Sequence, residues 1–376
     1  MLCYNGEPDI GSIIDDDDIN AVINELIKFK NPNYNHHHII ENFEEKFKNK
    51  ILCKYAISVN SCATGLDMVL HALDIMPGDE IISCAINFHG THLSIINSGA
   101  KLILAEADDN LNIDINDLSK KITKRTRAIL ITHMNGVSCN IDSIKKLIDG
   151  TNIKLIEDAA RALGSKYNSE YVGKNSWACV FSFQYKKQIT TLGEGGMIVT
   201  DDESLYQKLL NYRSFGMGRT WGTNYKMTSV QAAMGISQIT KLDKIIDLRR
   251  QIAKKRNIFI KNNVSNFKLP LDNEIYYNSY YIYTLLTPQN WNKSMRDKLI
   301  FDLKIESNIN AIIANAPTYL TNEFIRYNCD VSSLEYSEWI GEHIICLPIH
   351  PNMSELYNEY LLKRFVETVQ KIETMK

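Results

Sequence analysis

The apolar positions of this chain fall into two rhythms. From about residue 55, short uninterrupted runs recur: YAISVN (55–60), EIISCAI (80–86), KLILAE (101–106), RAILITHM (127–134), IKLIEDA (153–159), ACVFSF (178–183) and GMIVT (196–200). Runs of this length without polar alternation read as strands covered on both faces. Between several of them lie stretches with helical spacing, Leu66, Val69, Leu70 and Leu73 in one and Ile141 to Ile148 in another. Such alternation predicts an α/β domain with a large, mostly parallel sheet flanked by helices. Sheets of that kind bind ligands beyond the carboxyl ends of their strands.

Ahead of this region, Ile19, Val22, Ile23, Leu26 and Ile27 predict an amphipathic helix. Asp15 to Asp18 precede it, where helix N-termini favour negative charge. His36 to His38 sit in an Asn/Tyr-rich stretch and read as loop residues. A long helical pattern covers Thr228 to about Asn262. Beyond it the character changes: YYIYTLLT (280–287) and HIICLPI (343–349) read as strands, and 295–303 and 355–372 as helices. The expected division is a large domain over 1–250, including the N-terminal helical segment, and a small α+β domain over 251–376.

Composition narrows the function more than the fold. Lys and Arg total 42 against 44 acidic residues, a net charge of −2, which gives no reason to expect nucleic acid. The first residues lack the basic start and apolar stretch of a secretory signal, and no run is long enough to predict a membrane span. The eight cysteines are scattered without metal-ligand spacing, so a reducing cytoplasm is expected.

Candidate chemistry clusters at predicted strand ends. Asn60-Ser61-Cys62-Ala63-Thr64-Gly65 joins a strand to a helix, and amides at a helix start bind anions. Glu157-Asp158-Ala159-Ala160 closes another strand. Phe181-Ser182-Phe183-Gln184-Tyr185-Lys186-Lys187 leads into Gly193-Glu194-Gly195-Gly196. No GxGxxG, GxxxxGK[ST] or GxSxG is present.

Taken in order, the segments SCATGL (61–66), PGDEII (77–82), HMNG (133–136), IEDAA (156–160), FSFQYKK (181–187), GEGGMIVTDD (193–202) and NYKMTSVQAAMG (224–235) are far more specific. The likeness continues through KLDKIIDLRRQIA (241–253) to CLPIHPNMS (346–354). The chain resembles the sugar aminotransferase family, the DegT/StrS group of the aspartate-aminotransferase fold (type I). That resemblance implies pyridoxal 5′-phosphate as cofactor, passing through its pyridoxamine form. It implies Lys187 as the Schiff-base residue, with Lys186 left solvated, and Asp158 facing the pyridine nitrogen. Ser182 and the amides of Cys62 and Ala63 would hold the phosphate, and Phe88 would stack on the ring. Asn224 would reach the neighbouring subunit's cofactor, so a homodimer with shared sites is implied. An amino-acid donor, glutamate or glutamine, and a ketone acceptor on a sugar complete the expectation, the acceptor being nucleotide-linked in most of the family.

Three departures stand out. Ala63 replaces a common Thr, and Thr64 is a candidate to supply the missing hydroxyl. Arg161 stands near the expected ring oxygen, where Gln or His is usual; it would hold that oxygen as phenolate, bind an anionic substrate group, or point away. Leu192 adds one residue before GEGG. Arg161 keeps a small phosphorylated ketose or a cyclitol ketone open as acceptor. Sugar dehydratases of the same family typically replace the lysine by histidine, which Lys187 speaks against. A non-enzymatic regulator would not need Lys187, Asp158 and Ser182 together.

Overall fold

The computed structural model describes residues 4–264, 266–330 and 334–374. Cys3 lies outside them. The strands are β1 (Tyr55–Val59), β2 (Glu80–Cys84), β3 (Lys101–Ala105), β4 (Thr126–Thr132), β5 (Lys154–Asp158), β6 (Lys166–Tyr167), β7 (Glu170–Tyr171), β8 (Ala178–Ser182), β9 (Gly196–Thr200), β10 (Tyr276–Tyr277), β11 (Tyr283–Leu286), β12 (Cys329–Asp330) and β13 (Ile344–Leu347). Eight of them form one sheet in the order β1-β9-β8-β5-β4-β2-β3-β12. Only β9 runs against its neighbours, pairing antiparallel with both β1 and β8. The expected α/β sheet is therefore present, and each apolar run of the first two hundred residues supplies one of its strands.

Alternation along the strands explains why the runs are continuously apolar. In β8, Ala178 and Val180 enter one core while Cys179 and Phe181 enter another; in β9, Ile198 faces the first core, and Met197 and Val199 the second. The helices on the two faces are α1 (Asp16–Lys28), α2 (His37–Ile51), α3 (Cys62–His71), α4 (His89–Asn97), α5 (Ile115–Lys121), α6 (Ile141–Ile148), α7 (Glu203–Arg213) and α8 (Ser229–Asn263). Helix α2 is a correction to the reading of His36–His38 as loop. His37 and His38 form its first turn, and Ile40, Phe43, Phe47 and Ile51 bury its apolar stripe. The rings of Phe47 and Phe181 meet edge-on at 5.1 Å.

Helix α1 forms with Asp15 as its cap, accepting from the amides of Asp17 and Asp18. Its polar side faces inward. Asp18 and Glu25 are buried, with Lys241 of α8 bonded to Asp15 and, at 2.7 Å, to Asp18. Ile19, Ile23, Leu26 and Ile27 point outward.

Helix α8 is 35 residues long and serves two cores. Ala232, Ile239, Leu242, Ile245 and Ile246 pack against α2 and the sheet, while Ala253 and Ile260 join Tyr280, Tyr283, Leu285, Ile345, Leu347 and the C-terminal helix Glu355–Glu373. The expected division at residue 250 thus falls inside a continuous helix. The later core contains the antiparallel pair β11–β13 and the helix Lys293–Ser307 (α9). One short strand from this part of the chain, β12, pairs parallel to β3 at the edge of the large sheet.

Candidate active site

A cavity of about 390 Å³ opens at the carboxyl ends of the central strands. Cys62, Ala63, Phe88, Asp158, Arg161, Ser182, Lys186 and Lys187 all line it. Asn224, expected to reach a neighbouring subunit's cofactor, is exposed on the loop before α8, outside this cavity.

The anion-binding corner is made by the entry to α3. Ser61 caps the helix, its hydroxyl accepting from Thr64 N at 3.2 Å. The first amides of a helix have no partner within it, so those of Cys62 and Ala63 remain as donors. Gly196 in β9 pairs with Val59 and with Ser182. A Cβ on Gly196 would lie 2.7 Å from the Ser61 carbonyl carbon and 2.8 Å from Cys62 N, so only glycine lets the strand approach the helix start. Ser182, buried at the end of β8, brings a hydroxyl to the same corner.

Thr64 does not supply the missing hydroxyl. Its Oγ1 donates to Asn60 Oδ1 at 2.7 Å and is occupied with the Ser61 carbonyl at 2.9 Å, and the residue does not line the cavity. The reason is helical direction: Thr64, one position beyond Ala63, is rotated roughly 100° around the axis.

Lys187 follows β8 on a turn stitched to the glycine-rich segment. Phe183 N donates to Gly195 O at 2.9 Å, Tyr185 N to Gly193 O at 3.0 Å, and Lys187 N to Gln184 O at 2.8 Å. Leu192, expected as an additional residue, is exposed and adopts φ +66° in the turn between Lys187 and the glycine-rich segment. Burial pushes the Lys187 amine down to about 8, helped by the Arg161 guanidinium and opposed by Glu7, Cys62 and Asp158. Lys186 also reaches the cavity but pairs with Glu7 at 3.6 Å.

Asp158 ends β5 between Thr132 of β4 and Val180 of β8. Its Oδ2 accepts from the Thr91 hydroxyl at 2.6 Å, and its Oδ1 from Ala160 N at 2.9 Å. Glu157, pointing to the opposite face, meets His133 Nε2 at 2.6 Å and accepts from Gly173 N at 3.0 Å. One carboxylate of the Glu157-Asp158 pair therefore faces the cavity while the other is buried beneath the HMNG turn.

Arg161 points into the site. Its Nη1 donates to Asn135 Oδ1 at 2.9 Å and Asn315 Oδ1 at 2.6 Å, and its guanidinium lies 5.4 Å from the Tyr281 ring centre. Among the described residues, its other two nitrogens have no protein partner. Phe88 precedes α4 and is 49% exposed, an aromatic wall of the cavity instead of a core residue.

Sequence reasoning missed Glu7, Thr91, Asn135, Tyr281 and Asn315. Glu7 and Tyr281 are 274 positions apart and joined by a 2.5 Å hydrogen bond from the phenol. Against a burial that would raise it, Arg161, the Tyr281 hydroxyl, Lys187 and Lys186 hold the Glu7 carboxyl below its usual range. Asn135 (φ +54°) and Asn315 (φ +68°) adopt the left-handed conformation that asparagine tolerates, which no periodicity in the sequence marks.

The donor set suits pyridoxal phosphate: unpaired helix-start amides and a hydroxyl for a phosphate, an anchored carboxylate for a ring nitrogen, and a partly neutral amine for an aldehyde. The sequence profile of the DegT/DnrJ/EryC1/StrS aminotransferase family matches residues 14–365. GDP-perosamine synthase of Escherichia coli O157:H7 is 34% identical over 274 residues, 69% of this chain and 74% of that protein. Spore coat polysaccharide biosynthesis protein SpsC of Bacillus subtilis is 30% identical over 336 residues, 84% of this chain and 86% of its own. The solved structure of Helicobacter pylori PseC, an aminotransferase involved in the biosynthesis of pseudoaminic acid, matches with a TM-score of 0.89 and 25% identity, covering 98% of this chain and 100% of that one.

Proposed function

Because the chain belongs to the DegT/DnrJ/EryC1/StrS aminotransferase family and is a pyridoxal-phosphate-dependent aminotransferase of fold type I, we propose that it transfers an amino group from glutamate (or glutamine) to a nucleotide-linked keto-sugar. The observation that carries this reading is the convergence of Lys187, Asp158, Ser182 and the α3 start on one cavity. Bound there, the cofactor supplies an electron sink and carries the amino group between the two halves of a ping-pong reaction.

The chain's own residues do the rest. The amides of Cys62 and Ala63, with the Ser182 hydroxyl, would hold the phosphate. Asp158, fixed by Thr91 and Ala160 N, would present a carboxylate to the ring nitrogen and keep it protonated. Phe88 and Arg161 would contact the ring. Lys187 Nζ, its pKa brought down to about 8, would be available as a free amine to hold the cofactor through its aldehyde. With an amino-acid donor bound, the same nitrogen would take the proton from the donor's Cα.

The acceptor class is supported by the relative whose name, GDP-perosamine synthase, joins a nucleotide to an amino sugar. The name of SpsC supports a product destined for a surface polysaccharide. A second reading, a small phosphorylated ketose, is favoured by the two unpartnered Arg161 nitrogens in the cavity. We also propose a homodimer. The outward apolar face of α1 needs a cover, and Asn224, exposed near the α3 entry through the 3.5 Å Asn60–Asn224 contact, stands on the surface where a second subunit's cofactor would be met. Residues 251–376 we take as the small domain. The seven described cysteines are all unpaired, which supports a reducing cytoplasm, and among the described residues no helix is long and apolar enough to cross a membrane.

The test is spectroscopic. Protein supplemented with pyridoxal phosphate should show a visible lysine-linked band that glutamate bleaches, and Lys187→Ala should lack it. Loaded protein offered nucleotide-linked 4-keto-sugars and phosphorylated ketoses in parallel should regain the band only with its true acceptor. Recovery with neither class would sink the acceptor assignment, and no band in wild type would sink the enzyme chemistry.

A further inference from the structure

We propose that Tyr281 and Glu7 form a positioning pair for Lys187, in which a buried phenol couples a carboxylate from the beginning of the chain to the reactive amine. The inference rests on Lys187 being that amine. Tyr281 Oη donates to Glu7 Oε1 at 2.5 Å and stands 3.4 Å from Lys187 Nζ, which lies 4.6 Å from the ring centre. A contact of 3.4 Å is long for a hydrogen bond from nitrogen. The pair therefore acts on the amine through charge and the ring face more than through a bond.

Both members are immobilised. Tyr281 is fully buried, and its carbonyl accepts from Arg249 Nη1 at 3.2 Å. Glu7 belongs to the stretch before α1, which is pinned at Gly11. Gly11 N donates to Tyr185 O at 3.0 Å, and Gly11 O accepts from Arg249 Nη2 at 2.6 Å. A Cβ on Gly11 would come within 1.9 Å of Lys186 O, so this stretch lies directly against the lysine turn.

The charges around Lys187 show what the pair does. Arg161 drives its proton away, whereas Glu7, Cys62 and Asp158 favour it. Lys186 and Glu194 stand on the same cavity wall. Asp158 is held by Thr91 and the Ala160 amide, on the side assigned to the ring nitrogen. On the lysine side Glu7, joined to the amine through Tyr281, and Glu194, also coupled to Lys187, offset Arg161 and Lys186, and of the two Glu7 is the one that favours the Lys187 proton directly. An amine that must both attack and carry a proton needs a pKa near the working pH. Without Glu7 it would hold protons too weakly.

The experiment follows the visible lysine-linked absorption of the holoenzyme as pH is varied, in wild type, Glu7→Gln, Glu7→Asp and Tyr281→Phe. Glu7→Gln should lower the protonation midpoint at the lysine nitrogen by about one pH unit or more, the effect of removing an opposite charge at close range. Glu7→Asp should stay near wild type, and Tyr281→Phe should shift in the same direction by less. Should Glu7→Gln fail to fold, Tyr281→Phe, which keeps the ring, carries the same test. A midpoint unmoved in the variants, with the band present and only the melting temperature lowered, would overturn the pair. A wild type with no lysine-linked band would instead overturn the assignment of Lys187.

Discussion

Replacing Lys187 by an apolar residue of similar length should make the cofactor-free protein more stable. In the folded chain the Lys187 amine is pushed from its ordinary 10.5 to about 8, chiefly by burial and next by Arg161. At about 1.36 kcal/mol per pH unit, keeping an ammonium there at neutral pH costs on the order of 3 kcal/mol. Lys187→Met removes that cost and retains most of the side-chain volume. Two losses reduce the gain: the long contact to Tyr281 Oη, and one of the cations that hold Glu7 ionised. A net stabilisation of about 1–2 kcal/mol remains. The sign with pH follows from proton counting. Below pH 8 both folded and unfolded wild type carry the proton and the cost is fully present. Between 8 and 10.5 the unfolded chain alone holds it, so wild-type stability rises with pH and the mutant's advantage fades. Urea unfolding of both proteins without pyridoxal phosphate, at one fixed protein concentration and at pH 7 and pH 10, measures this. A mutant no more stable than wild type at pH 7, or an advantage of equal size at pH 10, would refute the reasoning.

Three further outcomes are expected. Gly196→Ala forces a methyl onto the Ser61–Cys62 peptide; a clash with backbone costs about 1–3 kcal/mol, and pyridoxal-phosphate affinity by equilibrium dialysis should fall roughly tenfold, in line with 1.4 kcal/mol per decade. His133→Ala strips the buried Glu157 of its cation-capable partner, and urea midpoints should show a loss of about 3–5 kcal/mol, the usual penalty for halving a buried pair. Charging the outer face of α1 with Ile23→Glu and Leu26→Glu should leave the helix and its Asp15 cap intact but shift the protein from dimer to monomer in light scattering; an unchanged mass would remove α1 from the interface.

The large sheet was legible in the sequence because its strands are buried on both faces and so lack the polar interruptions that blur boundaries. The strand read at 196–200 is the one observed, Gly196–Thr200. Helix α2 was obscured by its histidine start and its many charges, although Phe43, Phe47 and Ile51 carry the spacing of a buried stripe. In the site, Asp158 and Ser182 lie at strand ends, and Lys187, on the turn after β8, is reached by counting from the FSF segment; all three line the cavity. Thr64 could not be placed by counting, since one residue along a helix turns a side chain off the cavity. Glu7 and Tyr281 were invisible for another reason. Glu7 sits in no periodic pattern, Tyr281 reads only as one residue of the apolar run 280–287, and what joins them is tertiary contact across most of the chain.

That separation has a consequence for synthesis. Arg249 gathers the carbonyls of Gly11, Tyr280, Tyr281 and Ile349 around one guanidinium, so the first-made residues are held by some of the last. The 94 residues from Lys187 to Tyr281 take on the order of 5 to 19 seconds to translate at about 5–20 residues per second. For that interval the nascent chain carries both Glu7 and Lys187 but not yet the phenol that joins them. The groups that flank the Lys187 amine are therefore brought together only after the chain has been made past Tyr281, late in its synthesis.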